Sequence, residues 1–142
     1  MWLSLQARPW RSLAIVPAGA GAAEDFTLRI AVMLSRTGML HLGSPVQVAD
    51  GTRVSLVHLS SFIEQVRRCT SDGEPILVAL SALSASPVAL SLAQSTDAAL
   101  LAVVFEKMAL ADARSTVAQL GANRFIGSAI FHSTVGVASA SK

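Results

Sequence analysis

The chain has 142 residues, of which 52% are apolar and 14% are charged, and its formal net charge is +2. This length suits one domain that buries a core of its own. The arginines are scattered along the chain instead of forming a stripe, which argues against a nucleic-acid-binding surface. Every apolar run falls short of the roughly 18–20 residues that span a membrane. The high apolar fraction therefore indicates a sheet covered on both faces or a surface that meets a protein partner.

Cys69 is the single cysteine, which excludes an internal disulfide and fits a reducing cytoplasm. Its helical surroundings favour a buried structural thiol over a nucleophile. The small residues that follow Arg11 also resemble a secretory signal. Pro17 and the glycines after it make a poor apolar helix, so we interpret the same residues as a first strand and its loop.

Hydrophobic periodicity divides the chain into alternating strands and helices. Short apolar runs predict strands at residues 12–16, 46–49, 53–57, 76–80, 98–105 and 125–131. Apolar residues at helical spacing predict helices at residues 24–37, 59–69, 87–94 and 109–120. Gly38 and Gly121 serve as helix stops, and Ser86 before a proline serves as an N-cap. The dipeptide Asp50-Gly51 predicts a hairpin or a simple turn between the second and third strands.

This alternation predicts right-handed βαβ crossovers and a mostly parallel sheet flanked by helices. The predicted fold class is therefore a three-layer α/β fold of Rossmann-type topology. Residues 12–132 form the single domain, after a lead-in at residues 1–11 and before a flexible tail at residues 133–142. Ligands of such sheets bind at the carboxyl ends of the strands, where the strand order reverses. The loop after the first strand is expected on that edge.

The loop at residues 17–25 joins the first strand to the first helix and carries two glycines. A strand, a glycine-bearing turn and a helix together bring backbone N–H groups onto a phosphate. Glu24 and Asp25, however, stand where a phosphate site needs Lys and Ser or Thr. Acids at a helix start bond its free N–H groups and complement its dipole, by about 0.3–1 kcal/mol each. We therefore interpret them as an internal cap, with a metal or altered-ligand site at Asp25 as the alternative.

Four later segments carry a resemblance to a known superfamily. They are residues 76–83, 86–93, 96–104 and 120–131. These segments resemble the Walker B strand, the helix after it and two further strands of the P-loop ATPases of the chromosome-partitioning and septum-site type (ParA/MinD-like). Residues 13–38 lie where that superfamily has its first strand, P-loop and first helix. The chain is most similar to the branch that acts in exopolysaccharide and capsule synthesis, the bacterial tyrosine-kinase-like proteins, and the resemblance implies a P-loop NTPase-like fold.

The P-loop positions depart from the pattern that the resemblance implies. The family motif G-x-G-x-G-K-[ST] falls on a degenerate P-loop whose matching residues are Gly19, Gly21, Ala23, Glu24 and Asp25. Glu24 takes the place of the phosphate-binding lysine, and Asp25 takes that of the hydroxyl that ligates magnesium. Two unit charges about 4 Å apart interact by roughly 4 kcal/mol at an effective dielectric near 20. Replacing attraction by repulsion is therefore expected to weaken phosphate binding by several powers of ten.

The Walker B region is degenerate as well. The family places a metal-binding aspartate at the end of this strand, where the chain has Ala79, Leu80 and Ser81. The chain contains no tyrosine, so the tyrosine-rich tail of the kinase branch has no counterpart. Metal-ligand spacing is also missing from the histidines, which are His41, His58 and His132. The resemblance therefore implies a scaffold with no catalytic residue, no bound metal and no cofactor.

Together with the resemblance, these features predict a non-catalytic accessory or regulatory protein that acts by protein contacts in exopolysaccharide, capsule or cellulose biosynthesis. Its expected partner is a protein of a polysaccharide synthesis or export complex, and its expected location is the cytoplasm, with membrane association through that partner. The superfamily often pairs across its nucleotide face, so a homodimer is a second expected assembly. Two alternatives stay open. One is an atypical nucleotide-binding ATPase, which needs an arginine substitute such as Arg29 or Arg53 because the only lysines are Lys107 and Lys142. The other is a cell-division or segregation regulator on the same fold.

Overall fold

The computed structural model describes residues 9–19, 25–42, 46–104, 110–131 and 140–141. Its strands are β1 (Ser12–Pro17), β2 (Gln47–Asp50), β3 (Ile76–Ala79), β4 (Ala98–Val104), β5 (Phe125–Phe131) and β6 (Ala140–Ser141). Its helices are α1 (Phe26–Leu42), α2 (Leu59–Ser71), α3 (Pro87–Ser95) and α4 (Leu110–Leu120). Single 3₁₀ turns precede α2 and β5, at Leu56–His58 and Ala122–Arg124.

The strands form one sheet in the order β2-β3-β1-β4-β5-β6. β1 to β5 run parallel, and β6 pairs antiparallel with β5. From β1 the chain passes over β3 to reach β2, returns to β3 and then passes over β1 to reach β4. The strand order therefore reverses around β1, which is where a parallel α/β sheet places ligands. The predicted three-layer, Rossmann-like α/β fold is confirmed.

The helices cover the two faces of the sheet unequally, with α1 on one face and α2, α3 and α4 on the other. Side chains alternate along a strand, so consecutive residues of β1 serve opposite cores. The core under α1 includes Leu13, Ile15, Ile30, Leu34 and Leu77. The core on the other face includes Ala14, Val16, Val78, Leu92 and Ala93. Burial on both faces explains why β1, β3 and β4 are continuous apolar runs.

The predicted hairpin at Asp50-Gly51 is wrong, whereas the alternative of a turn agrees with the structure, in which the Asp50 carboxylate accepts the Thr52 N–H at 3.0 Å. Residues 53–57 form no strand, and the chain instead turns through Leu56–His58 into α2. β2 pairs in parallel with β3, and Gly51 extends that ladder by donating its N–H to the Ala79 carbonyl at 2.8 Å. A Cβ on Gly51 would lie 2.9 Å from the Ala79 carbonyl oxygen and from Leu80 Cδ2. The glycine allows a close approach to β3, whereas its dipeptide pattern favours a tight turn.

One helix boundary and one helix cap also differ from their predictions. α1 continues through Gly38, past the predicted end at residue 37. Gly38 is buried, so tertiary packing overrides the roughly 1 kcal/mol that glycine costs in a helix. Ser86 occupies the N-cap position of α3 as predicted, but its side chain makes no capping hydrogen bond.

The ends of the chain are described only in part. Ala140–Ser141 pairs with β5, although these two residues belong to the tail that is predicted to be flexible. The rest of that tail, at residues 133–139 and 142, lies outside the described residues, as do residues 1–8 of the lead-in. Within the described ranges, no helix is both long and apolar enough to cross a membrane.

Candidate functional site

The candidate site is the carboxyl edge of β1 and β3, where the loop after each strand starts. Gly19 and Asp25 are described at the two ends of the first loop. The degenerate P-loop residues that lie outside the described ones are Gly21, Ala23 and Glu24. The degenerate Walker B residues lie at the end of β3 and are Ala79, Leu80 and Ser81. Because β1 pairs with β3, the structure brings the two predicted regions to adjacent strand ends.

The start of the first loop is fastened to β4 and α4. Ala18 donates its N–H to the Ala102 carbonyl at 2.9 Å, and its own carbonyl accepts the Thr116 hydroxyl of α4, also at 2.9 Å. Gly19 lies directly against α4, since a Cβ there would lie 3.0 Å from Asp112 Cβ and 3.2 Å from Asp112 Oδ2. A carboxylate of α4 therefore lies beside the first glycine of the loop.

Asp112 is a site residue that sequence reasoning misses. Helical periodicity alone marks it as an exposed acid in the first turn of α4, where it complements the helix dipole. The signal that could have found it is the strand order. β4 pairs with β1, so the helix that follows β4 must begin beside the loop that follows β1.

The other end of the loop carries an exposed ion pair. Asp25 Oδ2 lies 3.5 Å from Arg29 Nε, and the two side chains are 58% and 41% exposed. The Asp25 carbonyl also accepts the Arg29 N–H at 3.0 Å, which starts the hydrogen bonding of α1. The carboxylate therefore pairs with a side chain, whereas the cap prediction has it bond backbone N–H groups. Among the described residues, no group of three or more His, Cys, Asp or Glu side chains could hold a metal ion.

The end of β3 is hydrogen-bonded to three neighbouring segments. Leu80 donates its N–H to the Ile15 carbonyl at 3.1 Å, and its carbonyl accepts the Thr27 hydroxyl at 2.7 Å. Ser81 donates its hydroxyl to the Thr52 carbonyl at 3.2 Å. These bonds tie β3 to β1, to α1 and to the loop after β2. The polar groups at this strand end are thus engaged within the protein.

Thr27 is the second site residue that the sequence analysis misses. Its side chain is 2% exposed, in the first turn of α1 and between the apolar residues Phe26 and Leu28. A buried hydroxyl needs a hydrogen-bond partner, so a polar residue in this apolar setting was the available signal. The partner it finds, the Leu80 carbonyl, lies 53 positions further along the chain, and no local pattern identifies it.

His58 lies on the exposed 3₁₀ turn before α2. Its Nδ1 lies 2.9 Å from Ser55 Oγ, three residues earlier, and this local pair closes the turn. The contact is within one turn and brings in no group from elsewhere in the fold. The remaining predicted candidates whose side chains lie outside the described ones are His41, His132, Lys107 and Lys142.

The described part of this edge offers carboxylates and bonded backbone groups. Asp25 and Asp112 place negative charge near the two ends of the loop, and Arg29 offsets the first of them. Across the described residues, every buried side-chain nitrogen or oxygen has a hydrogen-bond partner. The carboxylates in the described part of this edge repel phosphate oxygens, and the buried side-chain polar atoms of the described residues already have partners.

Comparison with known proteins adds no family to this chain. No family model matches it, and no curated protein matches it. The resemblance to the P-loop ATPases therefore stays a prediction that depends on the sequence segments named above.

Proposed function

We propose that this chain is a non-catalytic, P-loop-ATPase-like accessory or regulatory protein that acts through protein contacts in bacterial exopolysaccharide, capsule or cellulose biosynthesis. The bonded end of β3 is the observation that supports this proposal most. In the superfamily that the chain resembles, this strand end holds the metal-binding aspartate. Here the Leu80 carbonyl accepts a hydrogen bond from the buried Thr27 hydroxyl, and the Ser81 hydroxyl donates to the Thr52 carbonyl. These polar groups therefore have hydrogen-bond partners within the protein.

The charges at the loop support the same proposal. Asp25 and Asp112 flank the described ends of the loop, and Glu24 stands in the sequence where the superfamily has its phosphate-binding lysine. A phosphate brought within about 4 Å of one unpaired carboxylate meets roughly 4 kcal/mol of repulsion before screening. Nucleotide binding at this edge would have to overcome that repulsion without the lysine that normally provides attraction.

A role in protein contacts is supported by the turn after β2. Leu56 and Val57 are 73% and 86% exposed, on the loop that leaves the carboxyl edge. Burying such a side chain against a partner contributes about 1.5–3 kcal/mol. The partner that fits the proposal is a protein of a polysaccharide synthesis or export complex, which would hold this chain at the cytoplasmic side of the membrane.

Calorimetric titration of the full chain with ATP and magnesium tests the loss of nucleotide chemistry. We expect no binding at micromolar nucleotide, because the loop carries acids where phosphate needs a cation. The matched variant is Asp25→Asn, which removes one carboxylate and is expected to leave the titration equally flat. Micromolar binding by the wild-type chain that Asp25→Asn abolishes would mean that Asp25 holds a metal, and it would contradict the proposal.

Deletion of the gene in its own host tests the pathway. We expect exopolysaccharide yield to fall while cell length and chromosome segregation stay normal. Complementation with Asp25→Asn should restore the yield, because the proposed role uses no chemistry at that carboxylate. Complementation with Leu56→Ser and Val57→Ser together should not restore it. Unchanged yield with filamentous cells would instead favour a division regulator.

A further inference from the structure

A groove of about 470 Å³ runs between the outer side of β2 and the flank of α2, away from the carboxyl-edge site. β2 is the last strand at this end of the sheet, and β3 is its strand partner in the described part of the chain. The α2 side chains that line the groove are Phe62, Gln65, Val66, Arg68 and Cys69. Phe62 and Cys69 are half-buried, whereas Gln65 and Arg68 are exposed, so the groove has an apolar wall and a polar rim.

The backbone of β2 leaves hydrogen-bonding groups on the groove side. Gln47 and Gly51 donate their N–H groups to carbonyls at the two ends of β3, at 2.9 and 2.8 Å. Alternate residues of a strand face the same neighbour, so the backbone groups of Val48 and Asp50 point away from β3. β2 is only four residues long and carries one charged residue, Asp50, but it has no bulge, lysine or proline that would block pairing with a second strand.

We propose that a second copy of this chain occupies the groove, with its β2 antiparallel to the first β2 across a two-fold axis at Ala49. In this register Val48 of each copy lies opposite Asp50 of the other, and each such pair exchanges both backbone hydrogen bonds. Ala49 lies opposite its own copy, and it packs on the α2 side of the sheet. Its small side chain leaves room there for the two α2 helices to approach.

Charge complementarity favours a second copy as the occupant. α2 runs back from the carboxyl edge, so Arg68 lies toward the amino end of the groove, whereas Asp50 ends β2 at the opposite end. Both residues are exposed and line the same groove. In the two-fold dimer, the amino end of one groove faces the carboxyl end of the other. Each Arg68 therefore lies at the same end as Asp50 of the other copy. A two-fold interface makes every such contact twice.

Disulfide cross-linking tests the position of the axis. Opposed residues in a non-hydrogen-bonded antiparallel pair have Cα atoms about 4.5 Å apart, which suits a disulfide. In a Cys69→Ser background, Ala49→Cys is therefore expected to give a covalent dimer on mild oxidation, seen on a non-reducing gel. The control is Val57→Cys in the same background, which is more exposed but lies at the carboxyl edge. Cross-linking of the control and not of Ala49→Cys would overturn the proposal in favour of pairing across the nucleotide face.

Sedimentation of the full chain tests the charge pairing. We expect a concentration-dependent dimer, which Arg68→Glu weakens about tenfold because two attractions become repulsions. Asp50→Lys added to Arg68→Glu is expected to restore the dimer. Arg67→Glu is the matched control, since Arg67 is an exposed neighbour that does not line the groove. A wild-type monomer up to about 200 µM, an equal effect of the two arginine variants, or no rescue in a folded double variant would each contradict the proposal.

Discussion

The centre of the sheet and its β2 edge are built from the same strand-helix unit, but they are packed to different degrees. In the central unit, β3 is buried along its whole length, and the buried residues of the following helix α3 are Val88, Ala89, Leu92 and Ala93. In the edge unit, β2 is half-exposed, and Val66 is the residue of α2 that is buried. The same strand-helix unit is thus fully buried at the centre of the sheet and half-exposed at its β2 end.

The difference follows from the number of neighbours that each unit has. β3 lies between β2 and β1, whereas β2 has a described strand partner on one side only. α2 packs its inner face on the sheet and leaves Arg67, Arg68 and Glu64 in solvent. We infer that the centre supplies most of the stability and that the flank is the surface left for contacts.

The largest expected effect is a cavity in the centre. Leu77 in β3 is fully buried, and Leu77→Ala is expected to lower the free energy of unfolding by about 2–5 kcal/mol. Val57→Ala, at a side chain that is 86% exposed, is the control and should change it by less than about 0.5 kcal/mol. Urea unfolding followed by circular dichroism measures both. Similar losses of unfolding free energy from the two variants would mean that the centre of the sheet does not supply more stability than the exposed turn.

The second prediction concerns the place where the edge meets the centre. Gly51→Ala sets a Cβ 2.9 Å from the Ala79 carbonyl oxygen, and such overpacking typically costs about 1–3 kcal/mol. Gly127→Ala is the matched control, because a Cβ there meets nothing within 4 Å. The control is expected to be neutral or to stabilise by up to about 1 kcal/mol through the unfolded state. Thermal unfolding of the two variants separates these outcomes, and an unaffected Gly51→Ala would mean that β2 is free to shift away from β3.

The central part of the fold was predictable because its signals are local. The runs at residues 76–80 and 98–105 are apolar throughout, which indicates strands buried on both faces, and they form β3 and β4 as far as the structure describes them. The stop at Gly121 is also confirmed, since α4 ends at Leu120 and Gly121 has a φ of +106°. Periodicity and glycine chemistry decide these features within a few neighbouring residues.

The edge and the site were less predictable because their determinants are distant in sequence. Asp50-Gly51 has the composition of a hairpin turn, and its actual role depends on a carbonyl of β3. Thr27 and Asp112 belong to the site only through the strand order, which brings α1 and α4 to neighbouring strand ends. A single sequence specifies the elements more clearly than it specifies which strand lies beside which.

The third prediction removes the buried hydrogen bond that joins α1 to the end of β3. Thr27→Val leaves the Leu80 carbonyl without the hydroxyl that lies 2.7 Å away, at an expected cost of about 1–2 kcal/mol. Thr70→Val in α2 is the control, since that hydroxyl bonds the Arg67 carbonyl within its own helix at an exposed site. Urea unfolding should show a clear loss for the first and little change for the second. An equal loss of unfolding free energy in the two variants would mean that the buried hydrogen bond at the site stabilises the fold no more than the exposed one on α2.

The smallest expected effect concerns the ion pair at the loop. Asp25→Asn removes the partner of Arg29, and exposed i,i+4 pairs contribute only about 0.3–0.5 kcal/mol. Salt screens such a pair, so the difference between wild type and variant should shrink further when unfolding is measured in high salt. Asp97 lies at the amino ends of the strands and provides a contrast in bonding. Its carboxylate accepts the backbone N–H groups of Arg11 and Ser12, at 2.8 and 3.2 Å, and is not held by an exposed ion pair alone. If Asp25→Asn lowered the free energy of unfolding as much as Asp97→Asn does, the Asp25 carboxylate would have to stabilise the fold through contacts beyond the Arg29 pair. A small, salt-sensitive change would instead leave Asp25 free to vary without loss of the fold.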